Sequence, residues 1–570
     1  MMKNIKYIFI AFAMTYAGTS CNESKWLEET PYDFYTPANS YQTTAQFQQA
    51  LNFLYDEVRE MHWKLGDQHV AMWCGDIGYG ATDPNNKFNN FKTFFTPYTY
   101  VSGEYWNPAY SVIANANTII HRIDMDNQVG TDDKKIIKGQ ALFFRAYFYN
   151  FLANLFGNVP IVTEEAETPQ RDYVQSNRQE VYDQARKDLE EAITLLNDIT
   201  KAKDGEINIQ AAQHLLTEVY ISLKDYDKAI ETASDVIENP AMGLMKERFG
   251  SRKDEPGKDV YWDLFQVDNQ NRSSGNTETI WALQYEYKNA GSSYSNEMPR
   301  WLLPFYAGLQ VESAEDPNKQ VAAFPTLTEE KGGRGIGCIR PTDHFLNEIW
   351  TEGDIRNSSY MIVRDYKIEN KEAKGYNQWM VADGWYDKLS NDQKMRNFYP
   401  FIMKFSRIGD LPDDNYAKNP DGSYVITDLG EHGIVYQWGS LSANTSMKDE
   451  YMYRLAGTYL LRAEAYLGKG ELSKAKDDLN EIRIRANATE ITEADVNLDF
   501  ILDEQLRELY FEDFRLPTLC RLGKVVERSQ KYNPYGYNVG DYQNLLPIPY
   551  SEIEKNIFGN IEQNPGYEGF

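Results

Sequence analysis

The 570-residue chain holds only four cysteines and six histidines. Cys21, Cys74, Cys338 and Cys520 are too few and too scattered for a disulfide framework or a four-cysteine zinc site. The histidines, at 62, 69, 121, 214, 344 and 432, include no HExxH and no i, i+4 pair, so no helix presents two imidazoles to a metal. Basic charge is also short: Lys plus Arg number 58 against 85 for Asp plus Glu, a formal net charge of −27. That is the wrong sign for a phosphate backbone and argues against a nucleic-acid partner. It argues equally against adsorption on an anionic leaflet, which leaves a hydrophobic segment or a covalent lipid as the route to a membrane. Past the N-terminus no window approaches 18 uninterrupted apolar residues, the length a spanning helix needs. GxSxG and GxxxxGK are absent, and the cluster Gly332, Gly333, Gly335 and Gly337 does not fit GxGxxG. The run Asp124, Asp126, Asn127 has Val129 where a calcium loop needs Gly. With so many carboxylates, pairs at glycosidase spacing arise by chance and diagnose nothing. No catalytic residue, cofactor or metal is assigned.

The N-terminus carries Lys3 and Lys6, an apolar run from Tyr7 to Met14, then Ala17, Gly18, Thr19 and Ser20 directly before Cys21. This is the layout of a secretory signal. Small residues ending at a Cys resemble the bacterial lipoprotein signal, which makes Cys21 the lipidation site and the first residue of the mature chain. The alternative is an ordinary signal peptide with an incidental Cys. Residues 1–20 are read as signal and 21–43 as lipidated Cys and tether, with Pro31 and Pro37 in a polar stretch.

Helical periodicity is strong in two blocks. Residues 44–240 form an N-terminal helical part, with helices expected over 44–60, around Trp106 to Ile120, around Ile137 to Leu152 with Gly157 and Pro160 ending it, and over 178–196, 209–223 and 226–238. Residues 449–570 hold a second block, with helices expected over 451–467 and 472–486. Shifting Leu215, Glu218, Tyr220, Lys228 and Ala229 by 246 positions lands on Leu461, Glu464, Tyr466, Lys474 and Ala475 without a gap. An aromatic late in the first helix and an Ala at the crossing are the pattern of tetratricopeptide-type hairpins. Between the blocks, residues 241–448 are rich in Gly, Pro, Asn, Asp and aromatics, with short strands expected over 279–287, 359–366 and 398–405. The expected fold is mostly α: helical hairpins as a scaffold, with an irregular, loop-rich ligand-binding part carrying short strands.

Flat aromatic faces beside Asn, Asp and Arg suit sugars, which present C–H on one face and hydroxyls at the rim. Two loop-like stretches combine these residue types. The first supplies Asp76, Tyr79, Asn90, Phe94 and Tyr98, and the second Tyr294, Arg300, Trp301 and Tyr306. For each aromatic, packing into the scaffold is the competing role.

The segment EQLRELYFEDFRLPTLCRLGK at 504–524, LLPIPYSEI at 545–553 and QNPGY at 563–567, with FFRAYFYNFL at 143–152, FGNVPIV at 156–162 and YRLAGTYLLRAEAYL at 453–467, resemble the RagB/SusD family of Bacteroidetes outer-membrane lipoproteins. Family members usually have Gly where Asp513 stands and Asp where Thr518 stands, and Pro517 is unusual. Read unaided, 504–524 includes a helix with one apolar face, in which Glu508, Glu512, Arg515 and Arg521 pair across turns. The resemblance implies a non-enzymatic, lipid-anchored cell-surface protein. It would bind oligosaccharide or polysaccharide and act as lid to a SusC-like TonB-dependent transporter, which it contacts through its helical side. The same role with peptides or another nutrient as cargo, and a secreted glycoside hydrolase, are the alternatives.

Overall fold

The computed structural model describes residues 40–63, 66–166, 168–286, 296–406, 413–427, 433–437 and 446–567. The signal, Cys21, nearly all of the tether and Tyr294 lie outside them. Helix α1 (Thr44–Trp63) forms because Phe47, Leu51, Leu54, Val58 and Met61 recur on one face, and all five are buried. Helices α2 (Tyr100–Ile123) and α3 (Thr131–Phe156) follow as a hairpin. From Gly139 onward α3 is buried on every side, which makes it the central rod of the scaffold, and Gly157 at φ 76° ends it. Helix α4 (Arg178–Leu195) starts on an Asn177/Glu180 capping box and is bolted to α3 by Arg145, whose Nη2 lies 2.6 Å from Asp188.

The 246-residue repeat is real at the level of atoms. Helices α5 (Ile209–Ser222) and α6 (Tyr226–Ile237) form one hairpin, and α7 (Leu455–Lys469) and α8 (Leu472–Arg485) the other. Lys224 and Gly470, equivalent under the shift, both take left-handed backbone, at φ 61° and 81°. The next amide in each, Asp225 or Glu471, donates to the carbonyl of the late tyrosine, Tyr220 or Tyr466, at 2.9 Å. Lys228 and Lys474 lie over those same rings at 5.5 and 5.4 Å. Ala229 and Ala475 are fully buried where the helices cross. Helix α6 packs against α7, so the two hairpins are neighbours in space.

The intervening region has its own apolar core, built on Leu303, Phe324, Ile368, Met380, Phe398 and Phe401. Its strands are short antiparallel pairs, Gln310–Glu312 with Gln320–Ala322 and Ile362–Val363 with Phe401–Ile402. Three expected elements have their bounds corrected. The helix expected from 451 begins at Leu455, because Glu450–Arg454 is a strand paired antiparallel with Thr279–Leu283. Its tyrosines favour a ladder, and the partner strand supplies one. The strands expected over 359–366 and 398–405 shrink to two paired residues each, since only those find a partner.

A buried ionic network joins these parts. Arg454 reaches Glu278 at 2.5 Å, Glu512 at 2.7 Å and Glu508 at 2.9 Å. Arg485 binds Glu278 at 3.0 Å and also Glu508. Arg356 holds Asp354 at 2.7 Å and Glu504 at 2.8 Å, Arg483 meets Glu504 at 2.7 Å, and Lys404 meets Glu512 at 2.5 Å. Glu508 and Glu512 therefore pair with other segments and not with Arg515 and Arg521 across turns, which corrects the expectation, while within helix α9 (Leu498–Leu509) Glu504 does meet Arg507, at 2.8 Å. Burial alone would raise them, but Arg507, Arg356 and Arg483 bring the Glu504 carboxyl down to about 2.

Two outcomes follow from this geometry. Lys224→Gly should raise stability by about 0.5–1 kcal/mol in a denaturant titration, because the left-handed position suits glycine. Glu508→Gln should lower it by about 3–5 kcal/mol in the same titration, since it leaves buried arginines short of charge.

Candidate functional site

Two loops, 75–100 and 533–550, meet on one face. Side-chain amides knit them: Asn533 donates to the Gly75 carbonyl at 2.8 Å, Asn538 to Asn89 at 2.9 Å and Gln543 to Phe91 at 2.8 Å. The first loop is anchored from below by Asp76, which receives Arg515 and Arg528, each at 2.6 Å. Burial would raise that carboxyl, but the two guanidinium groups hold it far below the usual range. The strand Gly78–Gly80 then pairs with Ile339–Pro341.

On this base stands an aromatic surface. Tyr98 is 60% exposed and Tyr550 41%, their ring centroids 4.8 Å apart, and the Tyr550 amide donates to the Pro97 carbonyl at 2.9 Å. Tyr100, 54% exposed, accepts from Lys87 Nζ at 3.2 Å. Lys92 binds the carbonyl of Tyr537, itself 69% exposed, at 3.3 Å, which carries the surface to a second group. There Tyr79 meets Tyr535 edge-on at 5.5 Å, with the Arg340 guanidinium 5.9 Å from the Tyr79 ring. A separate groove of about 310 Å³ runs along α2, with Trp106, Tyr110 and Tyr173 facing Arg171 and Lys555. Among the described residues no cluster of His, Cys, Asp or Glu is arranged to hold a metal, and no helix is long and apolar enough to cross a membrane.

The model of the SusD family matches residues 277–567, slightly more than half of the chain, and a second model, described as starch-binding associating with outer membrane, matches residues 25–221. The chain belongs to the SusD family. SusD-like protein P2 of Formosa agariphila is 25% identical over 99% of this chain and 100% of its own length. The starch-binding protein SusD of Bacteroides thetaiotaomicron is 25% identical over 78% of this chain and 75% of its own. Among solved structures, surface glycan-binding protein A of Bacteroides thetaiotaomicron in complex with laminarihexaose superposes with a TM-score of 0.62. It is 20% identical and covers 92% of this chain and 99% of that one. The fold is thus the SusD fold, as the C-terminal motifs implied.

In this SusD-family chain the residues singled out from sequence do not converge. Tyr98 lies in the exposed cluster. Asn90 is half-buried at the start of a short helix, and Arg300 is partly covered, 3.7 Å from Glu297. Four others are buried by their neighbours. Asp76 is spent on its two arginines, and Phe94 packs edge-on against Phe88 and Phe95. Trp301 is buried against His69, and Tyr306 is buried with its hydroxyl donated to the Gly333 carbonyl. Tyr79 is nearly covered by Tyr535 and Arg340. The sequence reading missed Tyr100, Tyr535, Tyr537 and Tyr550 as surface aromatics. Tyr550 sits in LLPIPYSEI, where Pro549 ahead of a short helix was a signal for an exposed turn. Asp76→Asn should lower stability by about 3–5 kcal/mol in thermal or urea unfolding, whereas Tyr98→Ala should stay within about 0.5 kcal/mol.

Proposed function

We propose that the chain is a non-catalytic glycan-binding lipoprotein, anchored through Cys21 on the outer face of the outer membrane. It captures oligosaccharide or polysaccharide on the Tyr98–Tyr100–Tyr550 surface and delivers it, as a lid, to a SusC-like TonB-dependent transporter. The carrying observation is that exposed tyrosine cluster, set on a loop that buried ion pairs and amide bonds hold in place. Aromatic faces take the C–H side of a sugar, while Lys87, Asp83, Asn85 and Asn90 supply rim donors and acceptors from the same loop. The family supports the reading: one matched model is described as starch-binding and associated with the outer membrane, and a relative of the same fold holds laminarihexaose.

Calorimetric titration against plant, microbial and host polysaccharides and a peptide pool, with a reducing-end assay on the same samples, tests it. We expect saturable binding to one glycan class without new reducing ends. The double variant Tyr98→Ala/Tyr550→Ala should weaken binding about tenfold or more, at about 0.5–1.5 kcal/mol per aromatic contact, with its melting profile unchanged. Affinity unchanged in that variant but lost in Tyr110→Ala would move the site to the groove along α2. Binding confined to peptides would overturn the glycan reading.

A further inference from the structure

The tether that leads into α1 is polar taken whole, yet its middle is not. Residues 26–35 hold Trp26, Leu27, Tyr32, Phe34 and Tyr35, five large apolar or aromatic side chains in ten positions, with Pro31 among them. A linker that stays solvated is poor in such residues. Side chains of this kind gain by covering apolar surface.

The approach to α1 points to one such surface. The Gln42 carbonyl accepts from the Gln128 amide at 2.9 Å, just past the end of α2. Tyr41 stands beside the Arg122–Glu165 ion pair of 2.8 Å: burial first and the Glu165 charge second push its hydroxyl up, and Arg122 pulls the other way. The neighbouring Glu164 lines a hollow of about 400 Å³ with Ile120, His121 and Met125, and Met125 is 42% exposed. The groove of about 310 Å³ along α2 shares Asn117 and Glu164 with that hollow, so the two make one trough. Its floor is apolar in Trp106, Tyr110, Ile113, Val162 and Ile561. The lining positions 106, 110, 113, 117, 120 and 124 follow i, i+3/i+4 spacing and form one row along α2. The trough is preformed, since Tyr110 donates to the Pro160 carbonyl at 2.7 Å and Asn117 to the Val162 carbonyl at 2.9 Å.

The tether has the length to fill it. From Ile120 to Trp106 the helix rises about 21 Å. From Phe34 to Leu27 an extended chain spans about 23 Å, and from Phe34 to Ser40 about 20 Å more, enough to reach the start of α1.

We propose that residues 26–35 dock in this trough alongside α2, with Phe34 and Tyr35 by Ile120 and Met125, and Trp26 and Leu27 by Trp106 and Tyr110. The trough is thus filled by the chain itself and does not take glycan. On the reading that Cys21 carries the lipid, docking shortens the free leash from the 19 residues 21–39 to the five before Trp26. Five residues reach about 17 Å at full extension. The leash then leaves the body beside the short helix Tyr550–Lys555, whose Lys555 lines the trough and whose Tyr550 belongs to the proposed ligand surface.

The test uses the mature chain made soluble by Cys21→Ser, with p-benzoylphenylalanine at position 27 or at position 34, irradiated and mapped by mass spectrometry. We expect cross-links within one molecule, from position 27 to the stretch Trp106–Ala114 and from position 34 to Ile120–Met125. Ala114 lines the trough and is exposed, so Ala114→Arg blocks the floor without entering the core. In that variant cross-linking from position 27 should fall to background. Chymotrypsin should then cut after Tyr32, Phe34 and Tyr35 about tenfold faster, with the melting profile unchanged, because cleavage follows the undocked fraction. Cross-links to another face or to a second copy overturn the proposal, as does fast cutting of the unsubstituted chain that Ala114→Arg leaves unchanged. Glycan affinity lost in Ala114→Arg gives the trough to the ligand and overturns it too. A chain that binds glycan normally but shows no docking overturns this proposal alone and leaves the glycan reading standing.

Discussion

The structure depends on neutralising charge where water is excluded. Arg356, Arg454 and the α8 pair Arg483 and Arg485 come from three separate segments, and apart from Asp354, which sits beside Arg356, their partners Glu278, Glu504, Glu508 and Glu512 come from others. A buried ion separated from its partner costs several kcal/mol, so none of these segments can move away alone. Hydrophobic packing holds the helices in register with tolerance for small changes of shape. The ionic network has less tolerance, because each guanidinium needs its acceptors in plane and within bonding distance. The helical scaffold and the irregular region become one object at this point, and the C-terminal motif is rich in glutamate because it supplies the acceptors.

A second cluster performs the same service for the proposed ligand face. Asp76 receives Arg515 and Arg528, and Arg528 also meets Asp499 and Asp503. The loop above it has little regular structure, yet it starts from a fixed carboxylate and is sewn to 533–550 by amide side chains. Exposed tyrosines on such a loop lose less freedom on meeting a ligand than tyrosines on a slack one, which favours binding through a shallow surface.

Much of the scaffold was legible in the sequence because its signals are local. The i, i+3/i+4 apolar rows of α1 to α8 and the glycine after α3 each act within a few residues, and the gapless superposition of α5–α6 on α7–α8 tested the reading internally. The start of α7 was misread because EYMYR fits a helix or a strand, and only the distant Thr279–Leu283 decides. The proposed ligand face was harder for the same reason. Trp301 and Tyr98 look alike in composition, one aromatic among polar neighbours, yet one is enclosed by His69 and the other open to solvent. Burial of a loop residue depends on which remote segment lies over it, and a carboxylate such as Asp76 does not announce arginines more than 400 residues away.

The placement of the two repeat hairpins constrains how the chain reaches this state. Helix α6 ends at Ile237 and its packing partner α7 begins at Leu455, so one surface of the first hairpin stays uncovered until the whole intervening region has been made and folded back. A contact of such sequence separation forms late and raises the barrier to folding. Until then an apolar helix face and an unpaired strand, Thr279–Leu283, are open to wrong partners, including the same segments of other nascent copies. The α6–α7 junction is therefore a seam that closes late, and a chain of this design needs protection from aggregation for as long as its synthesis takes.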